Sequence, residues 1–464
     1  MLAFLEKYKK IDMLEGSLWD KILVFSIPLA LTSFLQQLFN TADVVTLGHY
    51  VNDNAMAAVG NNVPVIGFIV ALFVGMSIGA NVVVARYLGM KDEENAKDAV
   101  NTSFSVAIII GILFCILGEF FVPQITELMD VPDEVKPESI KYRRAYFLGL
   151  PFISIYNFEA ALLRSNGDTH TPLIALIYAS ILNIAGNIVC VLFFQLGIGG
   201  VALCTSLANA LSALYLFRKI LNAEGPISLD LRKLMRLNSR KLRAIVAIGL
   251  PTGIQGIVFS ISNLVIQSSI NSLGADAMAA SAAAFTIEIN IYCFINAFGL
   301  AATTFIGQNF GAKNIRRCVE IAKVSSLIGL IVTTVITAVV YFFAKPLLSM
   351  YTVSEAVISI AMIRIFYVLL PQPINIFLEV LSGSMRGYGF SLPPTIITLL
   401  TICSCRLLYV FTVFEKFTSF DVLMMVYPLS WVICIVFLVV MYIYKIRKVE
   451  KEYSRSLVSQ LNIN

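Results

Sequence analysis

Hydrophobic residues dominate the stretch from Ile22 to Gly48, where Asp43 is the only ionisable side chain. About 20 such residues in helical form cross a bilayer, so the stretch predicts a transmembrane helix. Polar side chains recur along it at Ser33, Gln36, Asn40 and Asp43, and spacings of three and four residues place them on one helical face. Because a polar stripe is costly against lipid, we expect this face to meet other helices or water.

Long apolar stretches separated by short polar connections continue to the end of the chain. Apolar residues make up 58% of the 464 residues and charged residues 14%, against about 25% charged residues in soluble domains. The stretches are too long and too unbroken for the strands of a membrane barrel. We therefore predict an all-α integral membrane protein with 12 transmembrane helices, near residues 20–48, 57–84, 99–122, 142–165, 171–195, 199–220, 244–271, 280–306, 321–344, 359–385, 393–414 and 422–445.

Lysine and arginine are concentrated in alternate connections between these spans. By the positive-inside rule, this asymmetry predicts a cell-membrane (plasma or inner membrane) protein with both termini in the cytoplasm. The net charge of +5 is therefore a topology signal, and we expect no nucleic-acid partner. The predicted domains are an N-terminal cytoplasmic amphipathic helical segment (1–20), a six-helix bundle (21–220), a basic cytoplasmic linker (221–243), a second six-helix bundle (244–445) and a cytoplasmic tail (446–464).

The two halves of the chain repeat each other at an offset of about 220 residues, which indicates two pseudo-symmetric six-helix bundles. Pro28 recurs as Pro251 and Asn40 as Asn263, and we match Glu159 with Glu379. Six spans per half is an even number, so both halves insert the same way up. The axis of the repeat is then parallel to the membrane normal, and we expect the substrate site between the halves.

Candidate ion-coupling residues gather in the first half. Asp43 comes first because an intramembrane carboxylate is a functional hypothesis by default. A buried carboxylate without an ionic partner can take up a proton, or it can bind Na⁺ through its oxygens. Asn40 in the same stripe, Asn183 and Asn187 on one face of the fifth span, and Thr205 in the sixth span complete the predicted pocket. The alternative is that the first span ends early and Asp43 is an ordinary solvated residue.

Other polar side chains within the spans are candidates for lining a substrate cavity. They are Gln36, Asn263, Glu288, Asn375 and Glu379. The alternative for Glu379, and for Glu159, is a structural pairing with one of the arginines in or near the spans: Arg164, Arg364, Arg386 or Arg406.

The sequence lacks the motifs typical of nucleotide binding, metal binding and a disulfide framework. There is no phosphate-cradling glycine loop followed by Lys-Ser/Thr, and no soluble domain large enough to bind a nucleotide. The eight cysteines show no paired spacing typical of a metal site or a disulfide framework. We expect no enzymatic activity, no cofactor and no metal site apart from a Na⁺ ion at Asp43, with energy supplied by an ion gradient.

Five short stretches, taken together, carry a specific family resemblance. They are Phe39–Asp43 with Gly48, Val82–Gly89, Leu163–Pro172, Ala301–Ala312 and Ser382–Gly387. These stretches resemble signatures of the multidrug and toxic compound extrusion (MATE) family, and the resemblance extends from about Trp19 to Lys445.

The resemblance implies a V-shaped pair of six-helix bundles and a secondary antiporter that exports organic, often cationic compounds in exchange for Na⁺ or H⁺. It implies a first-half ion site at Asp43, Asn183 and Thr205. This chain departs from the family at Asn187, where a second Asp is frequent. Gln255 is the polar residue nearest to a seventh-span Glu of some members, and Asn375 aligns with their tenth-span acid. These departures leave the choice between Na⁺ and H⁺ open.

Three alternatives to the antiporter remain open from the sequence. The first is a lipid-linked oligosaccharide flippase of the same superfamily. Arg364 and Arg406 support it, because such flippases can have a basic central cleft. The second is a membrane-embedded transferase, and the third is a non-transporting receptor. For the antiporter we expect a small organic molecule, Na⁺ or H⁺ and membrane lipid as partners, and a monomer.

Overall fold

The structure is a computed structural model and describes residues 10–51, 53–129 and 131–461. Every regular element within these residues is helical, and no strand occurs among them. The α-helices are α1 (Leu18–Tyr50), α2 (Asp53–Gly89), α3 (Glu93–Leu128), α4 (Lys136–Phe147), α5 (Leu150–Ser165), α6 (His170–Leu192), α7 (Gly197–Leu221), α8 (Ser239–Asn271), α9 (Ala275–Gly311), α10 (Ile315–Phe342), α11 (Ala344–Ser349), α12 (Glu355–Arg364), α13 (Asn375–Gly387), α14 (Leu392–Thr398), α15 (Ser404–Tyr409) and α16 (Phe420–Leu461). π-helical turns cover Ile365–Leu369, Leu399–Cys403 and Val410–Phe414, and 3-10 turns cover Leu231–Lys233 and Gln372–Ile374.

The all-α membrane fold predicted from the sequence is confirmed. Within the described residues, 11 helical stretches are long and apolar enough to cross a membrane. The number rises to 12 when α4 and α5, which meet at an angle of 45°, are taken as one bent span. The break falls just before Pro151, whose ring cannot continue an unbroken hydrogen-bond ladder. The fourth span therefore begins as early as Lys136.

The described part of the N-terminal segment corrects the expectation of an amphipathic helix. Residues 10–17 contain no helical turn. The amide of Ile11 donates to the carbonyl of Gly167 at 3.2 Å, and Ile11 and Met13 are buried. Burying these two apolar side chains is favourable, which explains why the segment packs onto protein instead of forming a surface helix. Residues 1–9 and 462–464, the ends of the predicted segment and tail, lie outside the described residues.

Two compact units divide the chain. Among the described residues, the first contains Val24–Ser260 with residues 10–16, and the second contains Ser17–Leu23 with residues 261–461. The division therefore falls inside α8 and not in the basic linker at 221–243, so the bundle boundaries given above stay a prediction.

Glycines allow the first half of α8 to lie directly against α2 within the first unit. A Cβ atom at Gly75 would overlap the backbone of Gly253, and one at Gly79 would overlap the backbone of Ile245 and Gly249. Gly75 and Gly79 are four residues apart on one face of α2, and small residues at this spacing allow helices to pack closely. The contact fixes the first half of α8 in the first unit.

The sequence repeat is visible in backbone conformation, with an offset of 222 residues. Lys91 and Lys313 have φ angles of 57° and 60°, and the side chains of Asp92 and Asn314, the residues that follow them, cap α3 and α10. Equal local geometry at equally spaced positions indicates that the two halves share one architecture in detail.

The same offset holds at the ends of α5 and α13, and it corrects one match proposed from the sequence. Gly167 and Gly389 both have positive φ, 90° and 86°. Asn81 Nδ2 donates to the Ala161 carbonyl at 2.9 Å, as Thr303 Oγ1 donates to the Gly383 carbonyl at 3.0 Å. In this register Glu379 corresponds to Asn157 and not to Glu159. Pairing Glu159 with Glu379 was therefore wrong by two residues.

Candidate functional site

Asp43 lies at the centre of a buried polar cluster in the first unit. Asn187 Nδ2 donates to its Oδ1 at 2.7 Å, and Thr205 Oγ1 donates to its Oδ2 at 2.8 Å. The Asp43 residue is 2% exposed, and no lysine, arginine or histidine forms an ion pair with it among the described residues. A buried carboxylate held by neutral donors alone keeps the capacity to bind a proton or a cation.

Asn183 extends this cluster by one hydrogen bond. Its Nδ2 donates to Thr205 Oγ1 at 3.0 Å, so Asn183, Thr205 and Asp43 form a chain of donors and acceptors. The Oδ1 atoms of Asn183 and Asn187 are buried and have no hydrogen-bond partner in the described part of the chain. Two amide oxygens beside a carboxylate and a hydroxyl are a set of hard oxygen donors suited to Na⁺.

The helices α6 and α7 place these residues because small side chains let the two helices approach. Asn183 and Asn187 are four residues apart and therefore share one face of α6. Gly186 lies between them, and a Cβ there would be 3.0 Å from Cys204 Sγ, next to Thr205 on α7. The two free thiols Cys190 and Cys204 are 3.2 Å apart across the same contact.

Apolar residues one helical turn from the acid cluster are buried. Leu47 follows Asp43 by about one turn, Val201 and Ala202 precede Thr205 by about one turn, and all three belong to one buried hydrophobic cluster in the first unit. A low-polarity surrounding strengthens the hydrogen bonds to the carboxylate and makes its uncompensated charge costly.

The structure does not bring Asn40 into this cluster, although the sequence analysis placed it there. The side chain of Asn40 is exposed, and Gln36 is only half-buried. Residues three apart on an α-helix differ by about 60° around its axis, which is enough to direct Asp43 inward and leave Asn40 outside. The first-half cluster in the structure therefore consists of Asp43, Asn183, Asn187 and Thr205.

In the second unit, Glu288, a candidate cavity residue, forms a buried ion pair with Arg364. Arg364 Nε and Nη2 donate to its two carboxylate oxygens at 2.8 and 2.9 Å. Ser281 Oγ accepts from Arg364 Nη1 at 2.5 Å, and Gln372 Nε2 donates to the Glu288 carbonyl at 3.1 Å. A carboxylate held by both arms of a guanidinium has little capacity left for a substrate cation.

Glu379 also has an arginine partner, which is the pairing that the structural alternative for this residue predicts. Tyr292 Oη donates to Glu379 Oε1 at 2.8 Å, and Arg386 Nη2 lies 3.8 Å from Oε2. Glu159 is different: it is fully buried, and neither of its oxygens has a hydrogen-bond partner among the described residues. The pairing suggested for Glu159 is thus absent there.

The remaining predicted cavity residues belong to both units. Gln255 is buried in the first unit, and Asn375 is buried in the second with an unpartnered Oδ1 in the described part. Asn263 is exposed, and its Oδ1 accepts a hydrogen bond from Arg406 at 2.8 Å. Arg406 was not predicted as a site residue, although a charged residue inside an apolar span was the available signal.

Comparisons with known proteins place the chain among transporters. The family model described as MatE matches it twice, over residues 28–189 and 251–412. The two matches have the same length and start at Pro28 and Pro251, which supports the internal repeat.

Named relatives span almost the whole chain. It is 26% identical over 415 residues to the probable multidrug resistance protein YoeA of Bacillus subtilis, covering 88% of this chain and 89% of that one. It is also 26% identical to the probable multidrug resistance protein NorM of Thermotoga maritima, with 86% of each chain covered. The multidrug export protein MepA of Staphylococcus aureus is 22% identical, over 83% of this chain and 85% of MepA.

Solved structures show the same fold. A MATE crystal structure in complex with MaL6 superposes with a TM-score of 0.89, at 20% identity, covering 95% of this chain and 98% of that one. A transporter of the MOP superfamily from Pyrococcus furiosus, described as having a binding pocket of reverse polarity, gives a TM-score of 0.88 at 20% identity, with 94% and 98% covered.

Proposed function

The chain belongs to the MatE family of multi-pass membrane transporters, and on that basis we propose that it is an antiporter that exports organic, often cationic compounds in exchange for Na⁺ or H⁺. Members of this family are transporters and not enzymes, which excludes the membrane-embedded transferase. We further propose that the protein acts as a monomer in the cell membrane, with both termini in the cytoplasm.

One observation carries the ion-coupling proposal: a buried carboxylate, Asp43, surrounded by Asn183, Asn187 and Thr205 and without a cationic partner in the described residues. An uncompensated charge in an apolar interior is unfavourable. Binding a proton or Na⁺ removes that penalty, and loss of the ion restores it. An antiporter requires that the equilibrium between its conformations depend on whether the ion site is filled. The ion can then be exchanged for the exported compound.

The oligosaccharide flippase is less well supported as an alternative. The sequence feature that supports the flippase is the pair of arginines within the spans of the second half, Arg364 and Arg406. In the structure Arg364 is neutralised by Glu288, so the strongly basic cleft that such a substrate needs is reduced to one arginine in this region.

The test is ion-driven efflux from proteoliposomes containing ethidium, with a Na⁺ gradient and a proton gradient imposed separately. We expect one gradient to drive efflux in the parent protein and Asp43→Asn to abolish it, because the amide keeps the shape and loses the exchangeable charge. Glu159→Gln is the matched control, since it makes the same change on a buried carboxyl outside the cluster. Equal efflux by the parent protein and Asp43→Asn would refute the assigned role of Asp43, and no efflux by the parent under either gradient would refute the antiporter itself.

A further inference from the structure

Arg406 on α15 is a buried guanidinium whose hydrogen-bonding capacity is only partly used. It is 2% exposed. Its Nη1 donates to Asn263 Oδ1 at 2.8 Å and lies 3.4 Å from Ser262 Oγ, while Nε has no partner among the described residues. The ring of Tyr427 lies 4.6 Å below the guanidinium carbon.

Charge balance sets Arg406 apart from the other buried arginines of the second unit. Arg364, which lies over the same Tyr427 ring at 5.5 Å, is paired with Glu288, and Arg386 is paired with Glu379. Arg406 has no carboxylate within 4.0 Å in the described part of the chain. A buried charge without a counter-ion is costly, so this region carries one uncompensated positive charge.

Arg143 in the first unit shows what a purely structural buried arginine looks like in this protein. Its Nε donates to Asn62 Oδ1 at 2.6 Å, and its Nη1 donates to Thr126 Oγ1 at 2.9 Å. Its Nη2 contacts Met129 Sδ at 3.5 Å, so every nitrogen of the guanidinium has a neutral acceptor. Arg406 lacks this enclosure and keeps a free donor.

The repeat places Arg406 where the first half has its candidate ion site. The two family matches end at residues 189 and 412, an offset of 223, which pairs Asn183 with Arg406. Pro172 and Pro394 are offset by 222. The π-helical turn Leu399–Cys403, for which the continuous helix α6 has no counterpart, accommodates the one additional residue.

The unpaired charges at these two duplicated places therefore have opposite sign. In the first unit Asn183 is linked through Thr205 to an unpaired carboxylate, whereas in the second unit its counterpart is an unpaired guanidinium. The position of Asp43 corresponds to Ile266 at the same offset, so the second half has no acid at that position and has a base at the position that corresponds to Asn183.

Asn263 connects the buried guanidinium of Arg406 to the protein surface. Its side chain is exposed and directly hydrogen-bonded to Arg406. An anionic group that replaces the Asn263 oxygen as acceptor would gain a charge-assisted hydrogen bond from Nη1. The free Nε–H offers a second donor on the same planar fork, the geometry that carboxylates and phosphates accept.

We propose that Arg406, with Asn263 beside it, binds a carboxylate or phosphate group of the transported compound. This inference rests on the proposed export function and adds to its substrate class compounds that carry an anionic group, including those that are cationic elsewhere. Arg364 and Glu288 form a neutral ion pair beside this site, and Arg364 holds the ring of Tyr427 against Arg406.

The test uses purified full-length protein in phosphatidylcholine nanodiscs and two dyes that differ by one charge, rhodamine B with a free carboxylate and its methyl ester. Fluorescence anisotropy gives the dissociation constant of each. We expect the parent to bind rhodamine B about tenfold more tightly than the ester, and Arg406→Gln to remove that preference while leaving the affinity for the ester within about twofold. Arg406→Lys should keep part of it, because it retains the charge without the fork.

Arg386→Gln is the matched control, because it removes another buried guanidinium of the same unit that already has a carboxylate beside it. It should leave the dye preference unchanged. An equal loss of affinity for both dyes in Arg406→Gln would overturn the proposal by showing a structural role. A parent protein that binds both dyes equally would overturn it without any variant, even if Arg406→Gln did not fold.

A second arm separates a transported anion from the headgroup of an anionic lipid. If adding phosphatidylglycerol to the nanodiscs abolishes the preference of the parent for rhodamine B, a lipid headgroup occupies the site and the assignment to the transported compound fails. A preserved preference supports the assignment. Ethidium carries no anionic group, so its ion-driven efflux still tests the antiporter when the dye preference is absent.

Discussion

Asn187 holds the carboxylate of Asp43 by a hydrogen bond of 2.7 Å, although the two residues are 144 positions apart in the chain. The amide stands at the position where the family resemblance implies a second acid. A neutral donor here leaves Asp43 as the single charge of its cluster. The geometry of the proposed ion site therefore depends on the hydrogen bond from Asn187 to Asp43.

Replacing Asn187 with Ala should weaken both folding and transport. The variant loses a hydrogen bond to a charged group, which corresponds to about 1.5–3 kcal/mol of stability. We expect a lower midpoint of thermal unfolding in detergent and a reduction of ion-driven ethidium efflux by about tenfold or more. Asn40→Ala, on the exposed side of the same stripe, is the control and should leave both quantities near the parent values. Parent-like efflux in Asn187→Ala would remove Asn187 from the ion site.

The pair of Glu288 and Arg364 should behave as one structural unit. Glu288→Gln leaves a buried guanidinium without its carboxylate, which we expect to destabilise the protein by about 3–5 kcal/mol. Removing both charges in Glu288→Gln/Arg364→Met should recover more than half of that loss. Thermal unfolding of the two single variants and the double variant gives the coupling energy. Additive effects would show that the two side chains act independently.

The contact of α2 with α8 should not tolerate a single methyl group at Gly75. Its Cβ would meet the backbone of Gly253, so Gly75→Ala forces the helices apart, at a cost of about 1–3 kcal/mol. Gly67 lies on the same helix with no atom within 4 Å of such a Cβ. Gly67→Ala should therefore stabilise the protein by about 1 kcal/mol through helix propensity. The two unfolding midpoints should move in opposite directions, and a shift of the same sign in both would contradict the packing.

Asp92, the N-cap residue of α3, should make the stability of the folded protein depend on pH. The side-chain and backbone donors of Asn95 lower the pKa of Asp92, which lies outside the spans. A carboxyl whose folded pKa is below its unfolded value of about 3.9 stabilises the fold above that pH, and the contribution disappears as the pH falls through the folded pKa. The difference in unfolding midpoint between the parent and Asp92→Ala should be present near pH 7 and shrink below pH 4. A constant difference would show that the charge of Asp92 is irrelevant.

Much of the fold was predictable because apolar length and period are local properties of the sequence. Helix α1 is the clearest case, since its apolar run and its polar stripe were both visible in Ile22–Gly48. The grouping of Asn183 and Asn187 also followed from their spacing of four residues. Their meeting with Asp43 and Thr205 was suggested by polarity alone, because polar side chains within a span avoid lipid and face one another or water.

The partners of the buried charges were less predictable, because pairing depends on the packing of distant helices. The sequence contained several arginines and acids in the second half, and nothing in their spacing distinguished Glu288 from Glu379 as the partner of Arg364. The repeat was ambiguous for a similar reason. Pro371 and Pro373 are two residues apart, so Pro151 could be matched to either, and only the backbone geometry at Gly167 and Gly389 fixed the register.

The π-helical turn at Leu399–Cys403 has a consequence for how such transporters can change. Each residue of a helix advances about 100° around the axis, so one inserted residue turns the whole following segment by more than a quarter of a revolution. Without the wider turn, the place now held by Arg406 would be taken by its neighbour in sequence. A single codon gained or lost in this segment can thus change the polarity of a buried site while every other residue of the helix stays the same.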